Sequence, residues 1–434
     1  MQLAHSTDWK GVQKLVEGAS AQLTPRASKT RRGTRLPMAA LAILWLVLPT
    51  SAVAQAIYSI TDIGTLGGDN SFPIWVTNSG EVVGYSDTGQ FDSSGSPIDH
   101  AFRWRKGVIQ DLGTLGGNNS FATGANNEGQ VAGFANVGAT SHAALWYKGT
   151  VTDLGTLIGP SGYSQAVLVN SAHQVAGGSS LADGTFHAVQ WQRGAMTDLG
   201  TLGGPNSFAN GMNDLGQIVG ISQVNDVPNP ILGFPPYHAA LWYKGAIRDL
   251  GAGPDPDAIG SVAFNINNHS QAVGRFALPD PVEGAVAHAF LWQAEAMQDL
   301  GVPAGLGDDN SEAISLNDSG QIVGDSGVGY IESYTPNHAL LWQDGAWIDL
   351  NTLIPPDSGY HLIQAVDVNA RGQIAVWAVQ LSTGNAHAVL LTPQPANVRG
   401  NSGQSPTVAS AAAPSLSEHA RRLLQLARRT KVER

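Results

Sequence analysis

The chain has 434 residues, with 23 Lys/Arg against 34 Asp/Glu and no cysteine. Without thiols there is no disulfide framework, no thiolate metal site and no cysteine nucleophile, so packing and hydrogen bonds must hold the fold. Glycine (52) and proline (23) are frequent, which with few charged residues predicts short strands joined by turns and disfavours a helical fold.

At the N-terminus, Arg31, Arg32 and Arg35 precede an apolar run from Met38 to Leu48, followed by small residues at Ala52 and Ala54. This order of basic region, apolar stretch and small-residue site matches a secretory signal. The run is 11 residues long, against the roughly 20 a membrane span needs, so cleavage is expected over permanent anchoring. Arg31-Arg32 hints at twin-arginine export, but Thr34 and Arg35 stand where that signal wants hydrophobic residues. Residues 1–56 are therefore a predicted export signal, and the protein is expected to be secreted or periplasmic.

From residue 57 the sequence repeats. Asp62-Ile-Gly-Thr-Leu-Gly-Gly68 has counterparts beginning at Asp111, Asp153, Asp198, Asp249, Asp299 and Asp349, spaced 42 to 51 residues apart. Repetition at this period identifies a solenoid or propeller. The second copy shows the unit. A small-residue run, Ser120 to Ala125 (strand a), leads through the turn Asn126-Asn-Glu-Gly129 into Gln130 to Phe134 (strand b). After a loop, His142 to Trp146 forms strand c, and Tyr147-Lys-Gly149 turns the chain into the next Asp-Leu-Gly strand, d.

Four short antiparallel strands per unit match a propeller blade. A solenoid would need atypical capping repeats, and none is evident. The ends of the array also favour a ring. The chain enters with a lone d-type strand, Tyr58 to Gly64, and leaves after a c-type strand, His387 to Thr392. If these pair, seven copies make seven complete blades with no free edge. The predicted fold is thus an all-β, seven-bladed propeller over residues 57–394, closed by its N-terminal strand. The alanines and glycines of strand a suit the crowded axis. The b–c loops and the d–a links should share one face and the a–b and c–d turns the other.

Three c strands, His100-Ala-Phe-Arg-Trp104, His288-Ala-Phe-Leu-Trp292 and His338-Ala-Leu-Leu-Trp342, together with the Asp-Leu-Gly-Thr-Leu-Gly-Gly links, resemble the HAF repeats of bacterial extracellular proteins. The resemblance spans residues 58–392. It implies a secreted bacterial protein, and it brings no reaction and no catalytic positions.

Repetition also weakens the chemical motifs. His100, His142, His187, His238, His288, His338 and His387 recur once per unit, and six have Trp four residues on. A ring separates such copies, so His, Asp and Trp are read as a hydrogen-bonding group inside each blade. The turn asparagines, such as Asn126 and Asn213, are read as turn formers. The glycine links are not phosphate cradles, because no helix follows and no lysine completes a P-loop.

Function is expected where symmetry breaks, on the b–c loops. The first carries Phe91 and Asp92, the fourth Phe234 and Tyr237, the fifth follows the candidate Arg275 with Asp280 and Glu283, and the sixth carries Tyr330, Glu332 and Tyr334. Aromatic rings beside carboxylates suit sugars, and clustered carboxylates suit calcium; no other cofactor is implied. Trp75, Glu312, His173 and His269 also depart from the repeat. Residues 57–394 hold nine Lys/Arg and thirty Asp/Glu, a balance that repels nucleic acid.

Residues 395–414 read as a flexible linker. Residues 415–434 open with the capping box Ser415-Leu-Ser-Glu418 and continue as a short basic amphipathic helix, able to meet anionic envelope lipid or the acidic propeller. The resulting expectation is a monomeric, secreted binding or scaffold module for an extracellular glycan, envelope polymer or protein. The alternative is a polysaccharide hydrolase or lyase using Asp92, Glu283 or Glu332, which requires two carboxyl groups about 5–10 Å apart.

Overall fold

The computed structural model describes residues 57–329 and 335–394. The export signal, linker and C-terminal helix expected from sequence lie outside the described residues, as do Tyr330, Glu332 and Tyr334. The described chain forms seven four-stranded antiparallel sheets, each ordered a-b-c-d. Blade 1 comprises Ser71–Val76, Val82–Phe91, Pro97–Arg105 and Val108–Asp111. Blade 7 takes strands a to c from Tyr360–Val368, Ile374–Gln380 and Ala386–Pro393. Its fourth strand is Tyr58–Asp62, paired from Tyr58 with Pro393 to Asp62 with Val389. The ring closes as the ends of the repeat require.

Strand a of each blade contacts strand a of both neighbours around the full circle, so these strands line the axis. Each pairs with strand b through a register shift, as between Ala122 and Gly124 or Ala209 and Gly211. A β-bulge bends a strand and re-aims its side chains, which fits a strand packed at a narrow centre. Gly124 is required there: a Cβ on it would lie 2.6 Å from the Val167 carbonyl oxygen of the next blade.

Blade 1 has Trp75 at the matching position. Its indole packs against the apolar cluster between blades 1 and 2 and also against that between blades 3 and 4. Only a side chain crossing the axis meets both. Across the ring the same layer is polar: Asn265 Nδ2 donates to Ser315 Oγ (2.9 Å), Ser315 Oγ to Asp367 Oδ1 (2.6 Å), and the Val76 amide to Asp367 Oδ2 (2.8 Å).

Three repeated hydrogen-bond systems fasten the blades. In the first, strand a opens with a serine, and Ser120 Oγ accepts from the Ala101 amide of the preceding blade (2.9 Å) and donates to the Gly113 carbonyl (2.8 Å). Ser164, Ser207, Ser261 and Ser311 repeat both bonds. In the second, the strand-d aspartate binds the strand-c histidine, as between His100 and Asp111 (2.7 Å) or His142 and Asp153 (2.8 Å), and accepts the amide of the glycine two residues on. At the seam the pair is His387 and Asp62 (3.0 Å), joined by Tyr360 Oη donating to Asp62 (2.6 Å). Burial opposes ionisation of Asp62, but the bonds from His387, Tyr360 and the Gly64 amide outweigh it and hold the carboxyl at about 2.

Tryptophan does not belong to this group as sequence expected. Trp191 Nε1 donates to the Leu154 carbonyl (3.0 Å), and the indole nitrogens of Trp146 and Trp242 have no hydrogen-bond partner. The conserved spacing places the rings in the apolar clusters between blades, and an indole can bury its large apolar body there at the cost of its one donor.

The third system is more than the turns predicted for it. Asn126 Nδ2 donates to the Asn170 carbonyl of the next blade, Asn170 to Asn213, Asn213 to Asn267, Asn267 to Asn317, Asn317 to Asn369, and Asn369 to Thr77. The same Nδ2 bonds the glutamine four residues on, and Oδ1 caps two amides of its own turn, as Asn213 does for Leu215 and Gln217. One buried side chain thus shapes a turn and staples two blades. Asn213→Ala should cost about 2–4 kcal/mol, because it strips several partners in a buried setting. His187→Ala, which breaks a half-exposed pair, should cost about 1 kcal/mol or less. Equal losses in thermal unfolding would contradict the assignment of the asparagines as the stronger fasteners.

Candidate functional site

The b–c loops and the d–a links meet on one face, as expected. The Gly68 amide donates to the Asp87 carbonyl, that of Gly117 to Asn136 and that of Gly204 to Gln223. The turn asparagines, with His173 and His269, occupy the other face. His173 takes the left-handed backbone (φ 60°) used by glycine in most of these turns, and its Nδ1 bonds Gln130 of the preceding blade.

Sequence-chosen residues separate into distinct groups on this frame. Asp92 heads a tight loop, and Oδ1 accepts from the Ser94 amide (2.8 Å), Ser94 Oγ (2.6 Å) and the Ser96 amide (3.0 Å). The Ser94 hydroxyl and these amides hold its carboxyl below the usual carboxylate range. It shapes a loop and is a poor proton donor. Phe234 and Tyr237 are half-buried, with ring centroids 6.1 Å apart. Glu283 is half-buried at the tip of the blade 5 hairpin, where its amide binds Asp280 (2.7 Å).

Arg275 corrects the expectation. Named as a ligand-binding candidate beside the fifth loop, it is 4% exposed within strand b of blade 5, and its Nη1 donates to Glu312 Oε1 of blade 6 at 2.7 Å. Glu312 is the cross-strand partner of Asp325, which accepts from Gln364 of blade 7. Matching positions in blades 1 and 2 hold the stacked pairs Phe72–Tyr85 (5.0 Å) and Phe121–Phe134 (4.9 Å). The charged residues replace an aromatic layer between blades, and their signal in the sequence is Glu312 inside a small-residue strand.

Two departures on the loop face went unpredicted. In blade 6, Asn351 replaces the glycine that follows Asp-Leu elsewhere, and the link becomes a 3-10 turn over Leu350–Leu353 capped by Asp349. That capping draws Asp349 from the histidine, and His338 Nδ1 instead binds Asp308 (2.9 Å), which also accepts from Ser326 Oγ and Asn337 Nδ2. Nearby, His361 Nε2 donates to the Asn337 carbonyl (2.9 Å), and burial holds its pKa below the usual imidazole value.

In blade 1, Asp87 and Asp99 are directly opposed across strands b and c. Asp87 accepts the amides of Asp69, Asn70 and Gly89 at 3.0–3.2 Å. Asp99 is 6% exposed, and its Oδ1 has no hydrogen-bond partner. Burial first, then the Asp87 charge, pushes its carboxyl up to about 7, against a smaller opposing effect of His100. The matching pair in blade 2 is Asn136 and Ser141, which satisfy each other at 2.8 Å. Among the described residues, no group of three or more His, Asp or Glu side chains is arranged to hold a metal ion.

No protein-family model and no curated protein matches the chain. Among solved structures it is similar to the β-propeller domain of the Trilobed protease from Pyrococcus furiosus, at 8% identity and TM-score 0.46, covering 71% of this chain and 89% of that one. It is also similar to YCF48 bound to D1 peptide, at 10% identity and TM-score 0.36 over 79% and 95%. A Hadza microbial sialidase matches at 9% identity and TM-score 0.35 over 77% and 68%.

Asp99 sets a pH dependence. The folded chain keeps this proton up to about 7, whereas the unfolded carboxyl releases it near 3.8, so the contribution of Asp99 to stability falls as pH rises through that window. Asp99→Asn should therefore raise the melting temperature by a few degrees at pH 8 and leave it little changed at pH 4. A constant difference between wild type and variant across this range would contradict the protonated carboxyl.

Proposed function

We propose that this propeller is a secreted binding module whose loop face takes an extracellular or cell-envelope ligand. The observation that carries the reading is where exposed apolar side chains gather. Phe91 (65% exposed), Val227 (65%), Val282 (85%) and Leu381 (55%) all sit at b–c loops of blades 1, 4, 5 and 7, whereas the turn face exposes two large apolar side chains, Val108 (66%) and Leu215 (56%). Exposed apolar groups gathered on one face mark interaction surfaces. The half-buried Phe234–Tyr237 pair adds an aromatic platform beside them.

The same geometry favours binding over acid–base chemistry. Asp92 is occupied by donors of its own loop. The opposed carboxyl pair on this face, Asp87 and Asp99, is buried between strands with little access to a polymer. Membership of the HAF-repeat proteins, export through residues 1–56 and a glycan as ligand belong to this proposal. The repeat motifs, the leader pattern and the aromatic pair support them respectively.

Retention of the purified protein on a bacterial envelope fraction, separated into polysaccharide and protein components, tests the reading. Phe234→Ala with Tyr237→Ala, and separately Val282→Ser, should each weaken retention several-fold without changing the melting temperature by more than a degree or two. Retention indifferent to every loop-face variant would refute a loop-face site.

A further inference from the structure

The two ends of the propeller differ in charge as well as in apolar exposure. Every described Lys and Arg apart from buried Arg275 lies towards the turn face. Arg105, Lys106, Lys148, Arg193 and Lys244 are on c–d turns, Arg103 and Arg248 on the adjoining strands, and Arg371 on an a–b turn. The loop face has no Lys or Arg among the described residues. It carries the histidine-paired aspartates and further exposed acids, among them Asp69, Asp183, Asp226, Asp255, Asp257 and Asp357.

Most of the apolar exposure is on the same face, the turn face exposing Val108 (66%) and Leu215 (56%). Beyond the four side chains named above, Ile231 (41%) and Val328 (45%) are exposed on the loop face too. They stand among the acids: Val227 follows Asp226, and Val282 lies between Asp280 and Glu283.

We propose that the loop face docks a basic amphipathic polypeptide segment, in which Lys and Arg side chains alternate with large apolar ones. This rests on the loop-face reading above and names its partner class. Acidic surface with no compensating cation raises the local concentration of a cationic partner and steers it to this end of the ring. Apolar tips spread over five blades then require several apolar side chains on that partner, because rim charges alone contribute little affinity. A neutral glycan supplies neither feature, and a nucleic acid has the wrong sign.

The test uses the full chain and three labelled synthetic peptides of equal length, composed of Lys and Leu, Lys and Ser, or Glu and Leu, with fluorescence anisotropy as readout. The Lys/Leu peptide should bind, at least ten-fold more tightly than Lys/Ser, with no binding of Glu/Leu. Phe91→Ser with Val282→Ser should weaken Lys/Leu binding at least five-fold. Asp69→Asn with Asp226→Asn and Asp257→Asn should weaken it similarly and flatten its salt dependence. Glu128→Gln on the turn face should change nothing.

Lys/Leu binding unaffected by the loop-face variants, or matched by Lys/Ser, overturns the proposal. A neutral oligosaccharide panel on the same proteins separates the two claims. Glycan binding lost in the loop variants, with no peptide binding, removes this inference and leaves the loop-face site. Indifference of both ligands to those variants removes both. Self-association abolished by the same variants, or a carboxyl–amine cross-link from Lys431 to the loop face, in place of peptide binding would assign the surface to a second copy or to the chain's own tail, and would likewise overturn it.

Discussion

A ring of blades has to close without a covalent seam, and everything else in this protein depends on that closure. The five residues Tyr58–Asp62 complete the last sheet. That ladder alone is short. The structure spreads the load over repeated bonds: a serine links strand c to the next blade at six of the seven boundaries, and an asparagine links one turn to the next at six. The seam carries these bonds too, through Ser71 with Ala388 and Asn369 with Thr77. It therefore differs from other boundaries mainly in connectivity, and the c strand that ends the array is not left unpaired.

Fastening by repeated polar residues leaves the axis and the loops free to vary. The axis is asymmetric: Trp75 fills it from one side, while Asn265, Ser315 and Asp367 form a hydrogen-bonded run on the other. Farther out, an aromatic layer in blades 1 and 2 gives way to the Arg275–Glu312 pair between blades 5 and 6. A buried ion pair is weak evidence of stability, although breaking one is costly. These substitutions change how neighbouring blades recognise each other without disturbing the fasteners, and a specified blade order is a reasonable consequence.

Blade number, strand order, closure and the two faces were legible in the sequence because each follows from counting repeats and noting which strand types stand at the ends. The histidine–aspartate pairs were legible for the same reason. Trp146 shows the limit: a constant spacing from His142 reveals that both matter to the blade, but not that the indole nitrogen goes without a partner. The asparagine staples were hidden because Asn126 and Asn170 are 44 residues apart, and only the ring geometry brings one side chain to the next carbonyl. Arg275 looked like a ligand contact because it stands at the end of the repeat's strand b, beside the loop, and nothing local shows that its side chain turns onto Glu312 of the next blade, 37 residues on. The Asp87–Asp99 pair escaped notice because the two stand at opposite ends of the first b–c loop, and only the ladder continuing one step past Ser86–His100 sets them face to face.

What the fold offers for function is therefore a division of labour between its ends. The turn face is stapled and carries the cations. The loop face carries most of the exposed apolar tips and, among the described residues, acids without Lys or Arg. Hydrogen exchange with and without a bacterial envelope extract tests that division most directly. The account predicts slower exchange in residues 87–99, 224–237 and 280–286, with the a–b turns such as 126–130 and 170–174 unchanged. Protection confined to the turn face would contradict it.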